Sequence, residues 1–191
     1  TNHLPAWARQ EERPPRSVQI MGAALLAPMV LGATAVHLVA DGTEDGPEGA
    51  EGQVEYSRTL LNWTLHYAGS LLSFAGAIHW GMALAEYGVP RRSEHMLLYY
   101  LARYSAPGVF VFFGWVGSVL AQADSQEAAM WLMTGYVGLL SFDWITKTYF
   151  LVPGWWLRWR AGGIVITMLC LGLLQFSERN LYLGAKPMIR M

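Results

Sequence analysis

The stretch LLSFAGAIHWG, residues 71–81, decides the fold of this chain. It lies inside a run from Thr59 to Ala85 that contains no Asp, Glu, Lys or Arg. A helix needs about 20 such residues to cross the hydrocarbon layer of a bilayer. The run is therefore long enough for a transmembrane helix, and it places a histidine, His79, inside that helix.

Four further stretches have the same apolar character, and the overall composition agrees with them. Hydrophobic residues make up 53% of the chain and charged residues 14%, against roughly 25% charged in soluble domains. Backbone groups inside lipid must be hydrogen-bonded within the protein, so membrane spans are helices or closed barrels. None of the stretches alternates with a period of two, which favours helices. The sequence therefore predicts an all-α fold, a polytopic membrane helix bundle with five transmembrane helices at about residues 17–40, 59–85, 104–123, 128–152 and 156–177.

The charges divide the rest of the chain and orient the bundle. The spans leave an N-terminal tail at residues 1–16, an acidic first loop at 41–58 and a C-terminal tail at 178–191. Nine of the 13 Lys and Arg residues fall on the side that carries the N-terminus. The positive-inside rule places that side in the cytoplasm or the mitochondrial matrix. The chain begins with Thr1 rather than Met, which is typical of a processed precursor.

A ladder of small residues follows one face of the second span. Gly69, Ser73, Ala77 and Gly81 recur every four residues and therefore form one stripe of a helix. Small residues at this spacing let two helix backbones approach closely, because packing replaces the hydrophobic drive that lipid cannot supply. The pattern predicts that this stripe is a helix-packing seam.

His79 is the polar residue of the second span that most needs an explanation. Polar groups at membrane depth are costly and are candidates for function. His79 could hydrogen-bond to another helix, transfer a proton, or ligate a metal or haem. Ligation requires several converging donors, and His66 lies about 20 Å along the same helix. The pattern favours the interhelical hydrogen bond, with proton transfer and ligation as alternatives.

The fourth span contains one acid and one base. Asp143 and Lys147 are spaced i,i+4 and can pair on one helix face. They lie near the end of the span, where long charged side chains extend to the membrane surface. We expect a structural ion pair, with a proton or ion path as the alternative.

Basic and aromatic residues group together on the predicted inner side. Arg91 and Arg92 form one group, and Arg158, Trp159 and Arg160 form another. Such groups suit anionic lipid head groups, including those of cardiolipin. The alternative is ordinary topology-setting charge.

Motifs for catalysis are missing from the sequence. It contains no Gly-rich phosphate loop, nucleophile elbow, paired-cysteine metal motif or zinc-protease motif. We therefore expect no catalytic residue, no metal site and no cofactor other than a bound phospholipid such as cardiolipin. The net charge of −1 argues against a nucleic-acid partner, since phosphate binding needs clustered Lys and Arg.

The core Ser73-Phe74-x-Gly76-x-Ile78-His79-Trp80-Gly81 resembles the hallmark of the transmembrane protein 69-like family. Further features of that family follow in order: Pro28, Tyr104-Ser105-x-Pro107 leading to Trp115, Asp143, and PGWWLR at residues 153–158. The resemblance covers nearly all of the chain after the N-terminal tail. It implies a five-helix membrane domain found in bacteria and mitochondria, and it implies no reaction and no catalytic residues.

Together these features predict a non-catalytic protein of the mitochondrial inner membrane, with its N-terminus in the matrix and its C-terminus in the intermembrane space. We expect a structural accessory subunit of an oxidative-phosphorylation complex, either ATP synthase or a respiratory-chain complex. It would act through helix packing, loop docking and lipid binding, with other membrane subunits and phospholipids as its partners. The alternatives are a small transporter or proton-handling protein that uses His79, and an assembly factor.

Overall fold

A computed structural model of the chain describes residues 13–41, 50–86, 96–149 and 151–182. Five long helices make up most of these residues, and none of the described residues is in a strand. The predicted all-α bundle of five helices is therefore confirmed. The helices are α1 (Arg16–Asp41), α2 (Ala50–Leu84), α4 (Ala106–Ala123), α5 (Ser125–Thr148) and α6 (Trp156–Tyr182), and a short α3 (Met96–Tyr100) leads through a π-helical segment (Leu101–Ser105) into α4.

Three of the helical stretches are long and apolar enough to cross a membrane by length and composition. They are Arg16–Ala40, Leu101–Ala123 and Trp156–Glu178. The apolar helices indicate a membrane protein. The apolar stretches of α2 and α5 are interrupted by polar residues such as Asn62 in α2 and Asp143 in α5. Crossings by these two helices stay a prediction.

Helix α2 is longer than the sequence predicted. It begins at Ala50, so the second half of the predicted acidic loop is helical, and residues 42–49 lie outside the described residues. Glu55, which the sequence assigned to that loop, is an exposed residue of this helix.

Helix α2 is the centre of the bundle and contacts each of the other four long helices. Its face with Leu61, Leu65, Ala68 and Leu72 is at most 1% exposed. Facing residues from the other helices complete the main apolar cluster: Met29, Val36, Leu132, Leu139, Leu171 and Leu174.

The entry into α4 is widened by Pro107. Proline has no N–H, so the carbonyl four residues earlier, that of Arg103, loses its usual helical donor. The chain responds with the π-helical segment, in which the N–H of Ala106 donates to the carbonyl of Leu101. The indole N–H of Trp80 donates to the carbonyl of Tyr104, at 3.1 Å. This widened turn directs the side chain of Arg103 into the bundle, where it is fully buried.

The helix-packing seam of α2 faces α4, but only half of the predicted ladder belongs to it. A Cβ atom built on Gly69 would lie 2.6 Å from the carbonyl oxygen of Gly114, so the two backbones touch there. Ser73 donates to the carbonyl of Val111, at 3.4 Å. Gly81 has open space where a Cβ would be, and Ala77 and Gly81 line an apolar groove instead. The prediction is wrong for Gly81, which has no protein atom near an added Cβ, and Ala77 borders the same open groove.

We predict that Gly69→Ala destabilises the bundle while Gly81→Ala does not. The added methyl group at Gly69 meets backbone that cannot move aside, which costs about 1–3 kcal/mol. The same change at Gly81 meets no atom within 4 Å. Thermal unfolding of both variants in one detergent, followed by circular dichroism, measures the difference. Equal unfolding temperatures would contradict the close approach of α2 and α4.

Candidate functional site

A cluster of polar side chains is buried near one end of the bundle, which we call the His79–Asp143 cluster. It consists of His79, Arg103, Asp143, Trp156 and Arg160, none of which is more than 6% exposed. His79 lies near the end of α2, Asp143 near the end of α5 and Arg160 in the first turns of α6. Because α5 runs antiparallel to α6, these positions meet at one depth, about 7 Å inside the helix ends.

The carboxylate of Asp143 is the acceptor at the centre of this cluster. Its Oδ1 accepts the indole N–H of Trp156 at 2.9 Å and the Nε2–H of His79 at 3.1 Å. Its Oδ2 accepts the Nε–H of Arg160 at 3.1 Å. A carboxyl group that accepts three hydrogen bonds and donates none is ionised. This one group therefore connects α2, α5 and α6.

The partners of His79 define its protonation. Its Nδ1 lies 3.1 Å from Nη1 of Arg103. A guanidinium can only donate, so Nδ1 accepts and carries no proton. The proton is on Nε2, which faces Asp143, and the ring is neutral. Phe142 packs edge-on against the ring at 4.7 Å between centroids, so both nitrogens and one face are occupied by protein.

The two arginines use backbone carbonyls as further acceptors. Both terminal nitrogens of Arg160 donate to the carbonyl of Ala75, at 3.0 Å each. Arg103 donates to the carbonyl of Leu151 and, at 3.3 Å, to the sulfur of Met82. Buried charges are tolerated only when their hydrogen bonds are satisfied in this way. The cluster thus joins α2, the π-helical segment, α5, the loop after α5, and α6.

Two predictions for charged residues are corrected by this geometry. Asp143 forms an ion pair with Arg160 and a hydrogen bond with the neutral ring of His79, and neither contact involves Lys147. Asp143 points into the bundle, and Lys147 is half-buried one turn later. Arg160 does not extend to a lipid head group, because it is bound to Asp143 inside the protein. Arg103, which directly precedes the predicted third span, is buried in the cluster.

The remaining predicted lipid contacts are divided between the surface and the interior. Arg158 is exposed at the start of α6, and Trp159 is half-buried. The indole of Trp159 packs on α1 at Gly22, where it fills the space that a Cβ would take. Arg91 and Arg92 lie outside the described residues.

The sequence contained a partial signal for Arg103 and Trp156, which did not identify their partners. Arg103 lies four residues before Pro107, the position whose carbonyl proline leaves without a donor. The spacing of Trp156 and Arg160, i and i+4, puts both on one face of α6. Their common partner comes from another helix, so only the tertiary structure shows it.

The opposite end of the bundle carries smaller polar contacts. Nδ1 of His37 lies 3.1 Å from the hydroxyl of Ser177, and the hydroxyl of Ser125 donates to Glu178. Across the described ranges, no group of three His, Cys, Asp or Glu side chains could hold a metal ion.

Two apolar cavities flank α2. The first, about 550 Å³, lies between α1, α2 and α6. The second, about 540 Å³, is an open groove beside the last turns of α2. Phe74, Ile78 and Trp156 line both. Neither His79 nor Asp143 lines either cavity, although Trp156 and Arg160, which bind Asp143, do line the first.

Comparison with known proteins yields one family. A family model described as a protein of unknown function (DUF3429) matches residues 14–176, which include every residue of the His79–Asp143 cluster. Neither a curated protein nor a solved structure matches the chain.

We predict that Asp143→Asn destabilises the bundle strongly. The change leaves the buried guanidinium of Arg160 without its counter-charge, which costs about 3–5 kcal/mol when one partner of a buried pair is removed. Lys147→Gln on the same helix is the control, and we expect it to change stability by less than about 0.5 kcal/mol. Denaturant titration in mixed micelles measures both. A neutral Asp143→Asn would show that the cluster does not hold the helices together.

Proposed function

The chain belongs to the DUF3429 family, and we propose that it is a non-catalytic structural subunit of a membrane assembly. The observation that carries this proposal is the occupancy of the His79–Asp143 cluster. Both ring nitrogens of His79 and both oxygens of Asp143 are bonded to protein groups. A cluster whose reactive atoms are all occupied joins helices and has no free atom with which to act on a substrate.

The surface of the bundle supports a role in packing against lipid or other membrane subunits. Large apolar side chains of α4 point outward, with Phe112 53% and Trp115 63% exposed. Trp63 of α2 and Trp144 of α5 are exposed to a similar degree. Tryptophan is enriched where helices meet lipid head groups and partner proteins. These side chains would form the contacts to neighbouring subunits.

We place the assembly in the mitochondrial inner membrane and propose an oxidative-phosphorylation complex, ATP synthase or a respiratory-chain complex. The resemblance of the His-Trp-Gly core to a family found in mitochondria supports the location. The excess of basic residues on the side of the N-terminus supports a matrix location for that end, with the C-terminus in the intermembrane space. Exposed Arg158 would contact an anionic head group such as that of cardiolipin.

A small proton-handling protein is the second candidate. The observation that favours it is that Trp156 and Arg160 line the first cavity and also bind Asp143. A proton path to His79 would need polar walls, and the walls of this cavity are mostly apolar. A further obstacle is that protonation of Nδ1 of His79 would break its bond with Arg103. The geometry therefore supports the structural role better.

Co-purification tests the proposal directly. The tagged full chain is extracted in mild detergent, and its native-gel migration and subunit stoichiometry are measured. We expect a fixed ratio to the other membrane subunits of one large complex. Sub-stoichiometric, transient association would identify an assembly factor, and recovery as a lone monomer would contradict both assignments.

We predict that His79→Gln preserves assembly. Glutamine offers one acceptor for Arg103 and one donor for Asp143, as neutral histidine does, but it cannot carry a proton. His79→Leu offers neither and should reduce recovery of the complex, because it leaves Arg103 and Asp143 without their shared partner. Complex yield on native gels and proton flux in liposomes separate the two roles. Flux that is present in the wild type and lost in His79→Gln would establish proton handling instead.

A further inference from the structure

The first cavity has the size and the wall chemistry of a ligand site. Its volume of about 550 Å³ falls within the roughly 300–1,000 Å³ of small-molecule pockets. It lies between α1 and α6, two of the helices apolar enough to cross a membrane. An apolar cavity that opens between such helices is accessible to the hydrocarbon chains around the protein.

Most polar side chains on the cavity wall are already bonded within the protein. Tyr136 donates to the carbonyl of Ala68, at 2.8 Å. Thr167 donates to the carbonyl of Gly163, at 3.0 Å. Trp156 and Arg160 donate to Asp143. The hydrogen bonds of these groups are directed into the protein, and most of the remaining wall is apolar, so the body of the occupant is expected to be apolar.

Trp155 is different. It also lines the cavity, and it is 5% exposed. Its indole N–H has no acceptor among the described residues. A buried donor without an acceptor is unfavourable, so an occupant that carries an acceptor at this point would be favoured. The required ligand is apolar along most of its length and has a carbonyl or similar oxygen at the Trp155 end.

The charge at this end of the bundle indicates the charge of the ligand's head group. Val18 at the start of α1 packs against the cluster of Trp155 and Trp156 at the start of α6, so both helices begin at the same end. The charged side chains of the described residues that are at least partly exposed there are Arg13, Arg16, Lys147, Arg158 and Glu86. Four of these five are basic.

We propose that this cavity binds one anionic phospholipid. An acyl chain fills the cavity, the ester carbonyl at the head of that chain accepts the indole N–H of Trp155, and the phosphate lies at the basic end. The site rests on the cavity alone, so it is independent of whether the chain is a subunit of a larger complex. It also differs from a surface contact at Arg158, because the chain of the lipid is held between helices.

Glycines on α6 provide a test with a matched control. Gly162 lines the cavity, and no atom lies within 4 Å of a Cβ built there. Gly162→Leu therefore adds a side chain at the cavity wall, and its Cβ meets no protein atom. Gly172 lies on the same helix, has equally open space, and does not line the cavity. Gly172→Leu is the control for any general effect of replacing glycine in α6.

The full chain, purified in mild detergent and stripped of lipid, is titrated with phosphatidylglycerol and with phosphatidylcholine of the same acyl composition. Bound lipid is counted by native mass spectrometry. We expect one phosphatidylglycerol on the wild type and on Gly172→Leu, with phosphatidylcholine bound more weakly. Gly162→Leu should weaken binding at least about tenfold, because its side chain occupies volume that the acyl chain needs. Trp155→Phe, which keeps the ring and removes the N–H, should weaken it about threefold to tenfold.

Several outcomes would overturn the proposal. One is wild-type binding by Gly162→Leu in a variant that retains its helical circular dichroism. If that variant does not fold, Trp155→Phe decides alone. Unchanged lipid binding by Trp155→Phe would contradict the hydrogen bond between the indole N–H and the ester carbonyl. Equal binding of both lipids removes the role of the basic end, and a co-purified isoprenoid quinone, detected by its mass and absorbance, would replace the phospholipid as the occupant. All measurements use the isolated chain, so they are independent of the native-gel result.

Discussion

The ionised carboxylate of Asp143 is the group on which the rest of the structure depends. A charge placed between helices must be matched and fully hydrogen-bonded, because nothing else in the interior can solvate it. The carboxylate recruits His79 from α2 and Trp156 and Arg160 from α6. Because the directions of these bonds are fixed, the helices that supply them have one relative position and one rotation.

The cluster also explains an irregularity that would otherwise be costly. The π-helical segment departs from regular helix, and its register follows from the missing N–H of Pro107. The departure puts Arg103 inside the bundle, where it donates to His79. That bond leaves His79 only the tautomer that donates to Asp143. The backbone distortion before α4 is thus connected to the carboxylate on α5 through a single imidazole ring.

The apolar character of the first cavity is a consequence of the same arrangement. Arg160 and Trp156 lie on its wall, yet both donate to Asp143, and Arg160 also donates to the carbonyl of Ala75. The polar interior is therefore separated from the lipid-accessible space by the groups that satisfy it. A scaffold that packs among other membrane subunits and a scaffold that holds a lipid chain both require this separation, since unsatisfied polar groups would admit water or destabilise the contact.

The hydrophobic pattern predicted the helices well. It identified individual polar residues inside them, but it did not predict which of these residues pair with each other. The run around His79 indicated a buried helix with a polar residue, and an interhelical hydrogen bond was the favoured interpretation. Asp143 was assigned to Lys147 because they are neighbours on one helix, whereas the structure pairs it with Arg160. Arg160 was placed at the surface because Arg near a span end usually extends outward. Spacing along one helix cannot rank these options, because the competing partners lie on other helices.

The sequence by itself determined that this chain is an all-α membrane bundle, since runs of uncharged apolar residues without a period of two leave the backbone only helical hydrogen bonds. It also determined the close contact at Gly69, because only small residues allow two backbones to touch. The tertiary structure alone decided which charges pair, which arginines are buried, and that a cavity bordered by the buried, unbonded indole N–H of Trp155 lies between α1 and α6. The physical reason is that these features are set by the distance and direction between atoms on different helices, and no periodicity along a single helix contains that information.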